Sequence, residues 1–169
     1  MRKTDIVYEP GKAEDAAAIY ELYRRAIAHL IEQGIDQWDE EYPNQGTIEE
    51  DVRLSQLTVG KLDGRFILAY VLNHDFLDGF ENGAWQGDEA ASIVMHRFVV
   101  DPEYQNKGIA VFTIEHMAEE LRKQGINSIR IDTFPPNEGS IRMYTRAGFR
   151  KVGEFRWRKG VYGIMEKIF

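Results

Sequence analysis

The chain has 169 residues, 43% of them hydrophobic, with 21 basic against 28 acidic side chains and a formal net charge of -7. That length suits one compact domain, and the acidic balance argues against a nucleic-acid partner, whose phosphates ask for a basic face. Cysteine is absent, which excludes disulfides, thiolate metal sites and a cysteine nucleophile.

The first residues, Met1-Arg2-Lys3-Thr4-Asp5, lead into no long apolar run, so no signal peptide is expected. Nor does any apolar stretch approach the ~20 residues of a membrane helix; a soluble cytoplasmic protein without a membrane partner is the default expectation. Residues 5–10 read as a short strand closed by Pro10. From Ala13 onward, Ala16, Ile19, Tyr20, Tyr23, Ala26, Ile27 and Leu30 recur at helical spacing, with Glu14 and Asp15 in the first turn, where the helix dipole favours them. An irregular acidic and aromatic stretch covers residues 35–43. Thr47-Ile48-Glu49-Glu50 has the pattern of a capping box, which predicts a short second helix capped by Thr47.

Residues 57–62 and 65–72 flank Asp63-Gly64, a favoured two-residue hairpin turn. Residues 74–89, with Gly79, Gly83 and Gly87 and little periodicity, read as a surface loop. A strand over 92–100 ends at Asp101-Pro102. Ala110, Ile114, Met117, Ala118 and Leu121 mark a helix that Gly125 is placed to terminate. Then come a strand over 128–133, Pro135-Pro136, a short helix over 137–146 stopped by Gly148, and strands near 151–157 and 161–168 around Lys159-Gly160. The order β-α-α-β-β-β-α-β-α-β-β describes a mixed α/β domain with an antiparallel N-terminal portion, expected to span 1–169 as a single domain.

The junction Gln105-Asn106-Lys107-Gly108-Ile109-Ala110 joins a strand to a helix. The first N–H groups of a helix have no internal partner, and with the positive end of the dipole they form an anion site. Such a site asks mostly for absence of bulk. Gly108 lets the main chain close around phosphate oxygens, Ala110 keeps the approach short, and Lys107 and Gln105 can add a cation and an amide at the rim. Glycine between a strand and a helix also serves simply to make a turn. Two other phosphate-loop patterns fail: Gly60-Lys61 is followed by Leu62 and preceded five residues earlier by Ser55, and Gly79, Gly83 and Gly87 lie four apart with no helix behind them.

The run Val99-Val100-Asp101-Pro102-Glu103-Tyr104-Gln105-Asn106-Lys107-Gly108-Ile109-Ala110 resembles the acetyl-CoA-binding motif of the GNAT N-acetyltransferases: Gln or Arg, two residues, Gly, one residue, Gly or Ala. Further along, Asn137-Glu138-Gly139-Ser140-Ile141-Arg142-Met143-Tyr144-Thr145-Arg146-Ala147-Gly148-Phe149 resembles the family's second feature, and the element order matches across nearly the whole chain. The resemblance implies a GNAT-like fold, a mixed, mostly antiparallel central sheet flanked by helices. It also implies acetyl-CoA-dependent N-acetyl transfer, in which a primary amine of a small molecule or a peptide or protein attacks the thioester directly. Main-chain groups of Phe98, Val99 and Val100 would then orient the pantetheine arm, and amides of Gln105, Asn106, Lys107, Gly108, Ile109 and Ala110 would hold the pyrophosphate. Asn137 matches a residue that hydrogen-bonds the cofactor arm, with a plain helix cap as the alternative. Tyr144 matches the cofactor-contacting tyrosine that protonates the departing thiolate, with a packed core tyrosine as the alternative.

An attacking amine must be neutral, whereas a lysine-like amine has a pKa near ~10.4, so a side chain or a water chain must take its proton. His96 and Glu89 are the candidate bases, with Asp88 beside the latter; a structural histidine and solvated carboxylates are the bland alternatives. The family builds its acceptor pocket from the first two helices, their connection and the loop after the third strand. Here those pieces carry Trp38, Tyr42 and Trp85 among Asp39, Glu40, Glu41, Asp75 and Asp78, which suits a cationic amine, although charge runs ordinarily face water. His29, His74, His96 and His116 show no metal spacing, and the implied chemistry requires no metal. The alternative function is a non-catalytic acyl-CoA sensor or scaffold of the same fold, and the sequence is compatible with a monomer or a homodimer.

Overall fold

A computed structural model describes residues 2–169. They form two compact units, the first holding the chain up to Leu72 together with His96–Ile109, the second Asn73–Met95 together with Ala110–Phe169. In chain order the elements are β1 (Val7–Pro10), α1 (Ala16–Glu32), α2 (Gln45–Arg53), β2 (Leu57–Leu62), β3 (Arg65–Asn73), β4 (Ser92–Val100), α3 (Ile109–Lys123), β5 (Ser128–Thr133), α4 (Glu138–Arg146), β6 (Arg150–Trp157) and β7 (Gly160–Ile168). Among the described residues the strands make a seven-stranded sheet in the order β1-β2-β3-β4-β5-β7-β6. The β1–β2, β2–β3, β5–β7 and β6–β7 pairs are antiparallel and β4–β5 is parallel, so the mixed, mostly antiparallel sheet expected from sequence is what forms. No helix among the described residues is long and apolar enough to cross a membrane.

In the first unit, α1 and α2 form because apolar side chains recur every three or four positions. Ile19, Leu22, Tyr23 and Ala26 of α1 and Ile48 and Val52 of α2 pack with Leu57, Val59, Ala69, Val71 and Val99 from the strands. Each large apolar side chain fully buried in such a core contributes about 1.5–3 kcal/mol. The β2–β3 hairpin turns through Asp63 and Gly64, with φ of 50° and 78°, the left-handed pair that a type I′ turn requires.

The start of α2 differs from the sequence expectation. Asn44, not Thr47, is the cap: its Oδ1 accepts from the Thr47 N–H at 2.9 Å, while its own N–H donates to Thr47 Oγ1 at 3.3 Å. Asparagine outranks threonine as a cap, and Thr47 here fills the reciprocal third position that glutamate takes in the usual box.

In the second unit β5 pairs on both sides, with β4 over Ser92, Ile93 and Val94 and with β7 along its whole length. The segment between β3 and β4 is the largely exposed loop its composition predicts, but it is tied down at several points. Phe80 is buried, 3₁₀ turns form at Phe80–Asn82 and Glu89–Ala91, and Glu166 of β7 accepts from the N–H groups of Gln86 at 2.9 Å and Gly87 at 3.0 Å. Arg130 of β5 donates to the Gly87 carbonyl at 2.9 Å and lies 4.3 Å and 5.3 Å from the ring centroids of Trp85 and Phe76. A stretch without hydrophobic period is thus ordered by buried charges reaching its backbone and ring faces, a signal that periodicity does not carry.

Candidate active site

β4 carries the first group of expected site residues. Six of the nine residues of this strand are apolar, and Arg97 within it has φ of 51°. Left-handed backbone is uncommon for a long side chain, and inside a strand it breaks the pleat and re-aims the main chain. Neighbouring groups hold it there. The Tyr23 hydroxyl donates to the Arg97 carbonyl at 2.7 Å. Arg97 Nε and Nη2 donate to the two oxygens of Asp51 at 2.8 Å and 2.6 Å, and Nη1 donates to the Tyr42 hydroxyl at 2.7 Å. Burial pushes the Asp51 carboxyl and the Tyr23 phenol above their ordinary values, with Arg97 pulling both down. For Arg97 itself burial acts to lower the pKa, but Tyr42 and Asp51 more than reverse this, and the guanidinium stays charged. His96 is buried just before it, Phe98 is half-buried and edge-on to Tyr70 at 6.3 Å, and Val99 and Val100 are buried.

Asp101, fully buried, anchors the turn. Its carboxylate accepts from Arg25 Nη2 at 2.7 Å and Nε at 3.1 Å, from Arg65 Nη2 at 3.1 Å and from the Glu103 N–H at 3.0 Å. Burial pushes this carboxyl up, but the hydrogen bonds from Arg25, Glu103 and Arg65 outweigh burial and hold it below the ordinary range. A 3₁₀ turn follows at Pro102–Tyr104, and the Gln105 side-chain amide donates to the Val100 carbonyl at 3.0 Å, closing the turn on the strand's end. Lys107 Nζ donates to the Glu103 carbonyl at 2.7 Å.

Asn106 and Gly108 then take φ of 58° and 72°. Asparagine is a residue that tolerates this region, and at Gly108 a Cβ would stand 2.8 Å from Lys3 Nζ. The turn is solvent-exposed from Asn106 to Gly108 and α3 starts at the next residue. The first N–H groups of a helix, which lack partners within it, the missing side chain at Gly108 and the Lys3 ammonium beside it make a donor set that fits a pyrophosphate. A hollow of about 650 Å³ on the same turn is lined by Asp5, Leu62, Asp63, Glu103, Tyr104 and Lys107; its three carboxylates give it the wrong charge for a diphosphate.

The other expected residues fall as follows. Asn137 caps α4, its Oδ1 accepting from the Ser140 N–H at 3.2 Å. Tyr144 is half-buried on α4, its ring 5.4 Å from that of Phe149 and tilted by 71°. Burial, and secondarily the Asp132 carboxylate, push its phenol up, so it keeps its proton throughout the neutral range. Glu89 is exposed and opens the 3₁₀ turn ahead of β4, with Asp88 as its cap, whereas His96 is buried within the strand; the two candidate bases therefore differ in access to water. Trp38 and Tyr42 gather in the first unit, Trp38 at 5.9 Å from the Tyr23 ring and Tyr42 on Arg97. Trp85 belongs to the second unit, where its Nε1 donates to the Phe80 carbonyl at 2.7 Å and Arg130 covers its face. Sequence reasoning missed Arg97, Asp51 and Asp101 as organising residues. One signal was available: an arginine inside an apolar strand must find a counter-charge.

The sequence profile of the acetyltransferase (GNAT) family matches residues 17–149, well over half of the chain, including the turn after β4 and Tyr144. The chain belongs to the GNAT acetyltransferase family. Over 136 residues it is 27% identical to the L-methionine sulfoximine/L-methionine sulfone acetyltransferase of Salmonella typhimurium, covering 80% of this chain and 74% of that protein. Over 65 residues, 38% of this chain, it is 31% identical to the ribosomal protein bS18-alanine N-acetyltransferase of Escherichia coli, a match spanning 42% of that relative's length. Its fold is similar to the crystal structure of the PaiA N-acetyltransferase of Thermoplasma acidophilum in complex with coenzyme A. That likeness has a TM-score of 0.71 at 18% identity and covers 97% of this chain and 99% of the other.

Proposed function

We propose that residues 1–169 act as one acetyl-CoA-dependent N-acetyltransferase domain acting on a primary amine of a small molecule or a peptide. The observation that carries this reading is the turn after β4, whose left-handed residues Asn106 and Gly108 open onto the start of α3 beside the Lys3 ammonium. In this reading the amides of residues 106–110 hold the pyrophosphate, the Gln105 N–H being given to the Pro102 carbonyl at 3.3 Å, main-chain groups of Phe98, Val99 and Val100 align the pantetheine arm, and Asn137 adds a contact to it. Acetyl-CoA supplies the activated acetyl thioester. Tyr144 faces the departing sulfur as acid, and His96 or Glu89, directly or through water, takes the proton of the attacking amine. A thiol has a pKa of ~8.5 and the Tyr144 phenol is raised well above its ordinary value. Tyr144 therefore acts first as a hydrogen-bond donor to charge developing on sulfur, the contribution that lowers a barrier most directly. Trp38 with Asp39, Glu40 and Glu41 favours a cationic acceptor, whereas the Tyr42 and Trp85 rings already face Arg97 and Arg130.

The relatives' names point to one small-molecule acceptor and one ribosomal-protein alanine, so the test uses both kinds. Thiol release from acetyl-CoA is followed with a panel of small amines, amino-acid analogues and peptides with free N termini. Release dependent on at least one amine is expected. Thermal stabilisation by CoA without release from any amine would instead identify a sensor, and absence of both overturns the reading. Tyr144→Phe is expected to lower kcat about 10²-fold with CoA binding close to wild type. Because the phenol is raised, the wild-type kcat should show no fall from its ionisation up to pH ~10.

A further inference from the structure

We propose that Arg97 is a positioning residue of the transfer reaction: it locks β4 in its left-handed kink, and Asp51 and Tyr42 lock Arg97. The proposal rests on the functional reading above, in which residues 98–100 orient the thioester, and it adds what holds them. A strand residue other than glycine pays sterically for a positive φ, and such a conformation persists only where its surroundings over-determine it. Here the ties act on both ends of one residue. The main-chain carbonyl is fixed by the Tyr23 hydroxyl at 2.7 Å, and the guanidinium is fixed by the Asp51 carboxylate at 2.8 Å and 2.6 Å and by the Tyr42 hydroxyl at 2.7 Å.

Each tie comes from a different part of the first unit. Tyr23 lies on α1, Asp51 on α2 and Tyr42 in the stretch between them. A paired fork has one orientation, so it transmits their arrangement to the main chain of Arg97. Were φ to relax to ordinary extended values, the pleat would gain regularity, and the residues that follow would turn to the opposite face. Phe98, Val99 and Val100 follow directly. Asp51 is buried and has no role in binding or transfer in the reading above, yet it supplies the whole counter-charge of a strand residue 46 positions away.

Glycine separates this assignment from a purely structural ion pair, because it adopts positive φ without steric cost. Arg97→Ala loses both the ties and the preference for the kink, and is expected to lower kcat about 10²-fold, the scale of a small misplacement of reacting groups. Arg97→Gly loses the ties alone and should retain about tenfold more turnover than the alanine variant. In both, KM for acetyl-CoA should rise by less than kcat falls, since the pyrophosphate turn is untouched. Rates are measured well below each variant's melting temperature. An alanine variant within about twofold of wild type in kcat, or a glycine variant no better than alanine, overturns the assignment. Should Arg97→Ala fail to fold, Tyr42→Phe decides: it keeps the ring and removes one acceptor, so kcat should fall about tenfold, and an unchanged kcat overturns the proposal. A wild-type protein that never turns over acetyl-CoA defeats the functional reading, whereas undiminished turnover in the variants defeats only the role of Arg97.

Discussion

Arg97 in the first unit and Arg130 in the second pose one physical problem, a guanidinium withdrawn from water, and meet it with different partners. Arg97, 12% exposed, spends its fork on a single carboxylate and a phenol, with the Tyr42 ring centroid 5.8 Å away as a further contact. Arg130, 2% exposed, has an Nε with no hydrogen-bond partner among the described residues, 3.7 Å from Glu166. Its charge lies instead against Trp85 and Phe76, while Glu166 accepts from Gln86, Gly87 and the Ser128 hydroxyl. Ring faces attract a cation over a broad range of angles. They suit the fastening of an aperiodic segment, where the gain lies in cohesion. A fork on a carboxylate fixes direction, which suits a backbone that must hold one strained dihedral.

Removing Arg130 should have the largest effect on stability. Arg130→Ala takes the cation from Trp85 and Phe76 and leaves Glu166 buried without its counter-charge, a change worth about 3–5 kcal/mol. Urea unfolding checks it, and a loss below about 1 kcal/mol would mean that the segment between β3 and β4 is held by apolar packing alone.

Asp101 extends the directional side of the comparison, because it takes two N–H groups from Arg25 and one from Arg65. Its folded pKa is depressed, so its contribution is fully present above the unfolded value of ~3.9 and is lost as pH falls through the folded value. Asp101→Asn should cost about 2 kcal/mol at neutral pH, and its unfolding free energy should converge on that of wild type in acid. Parallel curves would show that charge at Asp101 is not what holds the turn. The smallest effect belongs to Trp85→Phe, which keeps a ring for Arg130 and loses the Nε1–H bond to Phe80, about 1 kcal/mol in the same unfolding assay. A loss comparable to that of Arg130→Ala would shift the weight of the clamp from cation to indole.

Most of the architecture was legible because it is local. The Asp63-Gly64 hairpin, the strand Ser92–Val100, the turn after it and the start of α4 at Asn137 each depend on residues within a few positions of one another. Where two local signals competed, the reading slipped: Thr47 matched a capping pattern, but Asn44 three residues earlier matched it better and captured Thr47 as its partner. The anchoring of the exposed segment between β3 and β4 was hidden for the opposite reason. It has no period, and what orders it comes from β5 and β7, 43 or more positions further on in the chain for every contact from Arg130 and Glu166 to Gln86 and Gly87.

The sequence by itself determined the order of elements, the membership signalled by the Gln105–Ala110 turn and the Asn137–Phe149 stretch, and the residue types available to an acyl transfer. Those are properties of period, capping and turn chemistry, which act over a turn of helix or the span of a hairpin. Only the tertiary structure decided that Arg97 would be left-handed, that Asp51 would be its counter-charge and that Asp101 would take two guanidiniums. A charge inside a fold must be compensated wherever the strands and helices bring an opposite charge, and that place is set by packing across dozens of residues rather than by any neighbour in the chain.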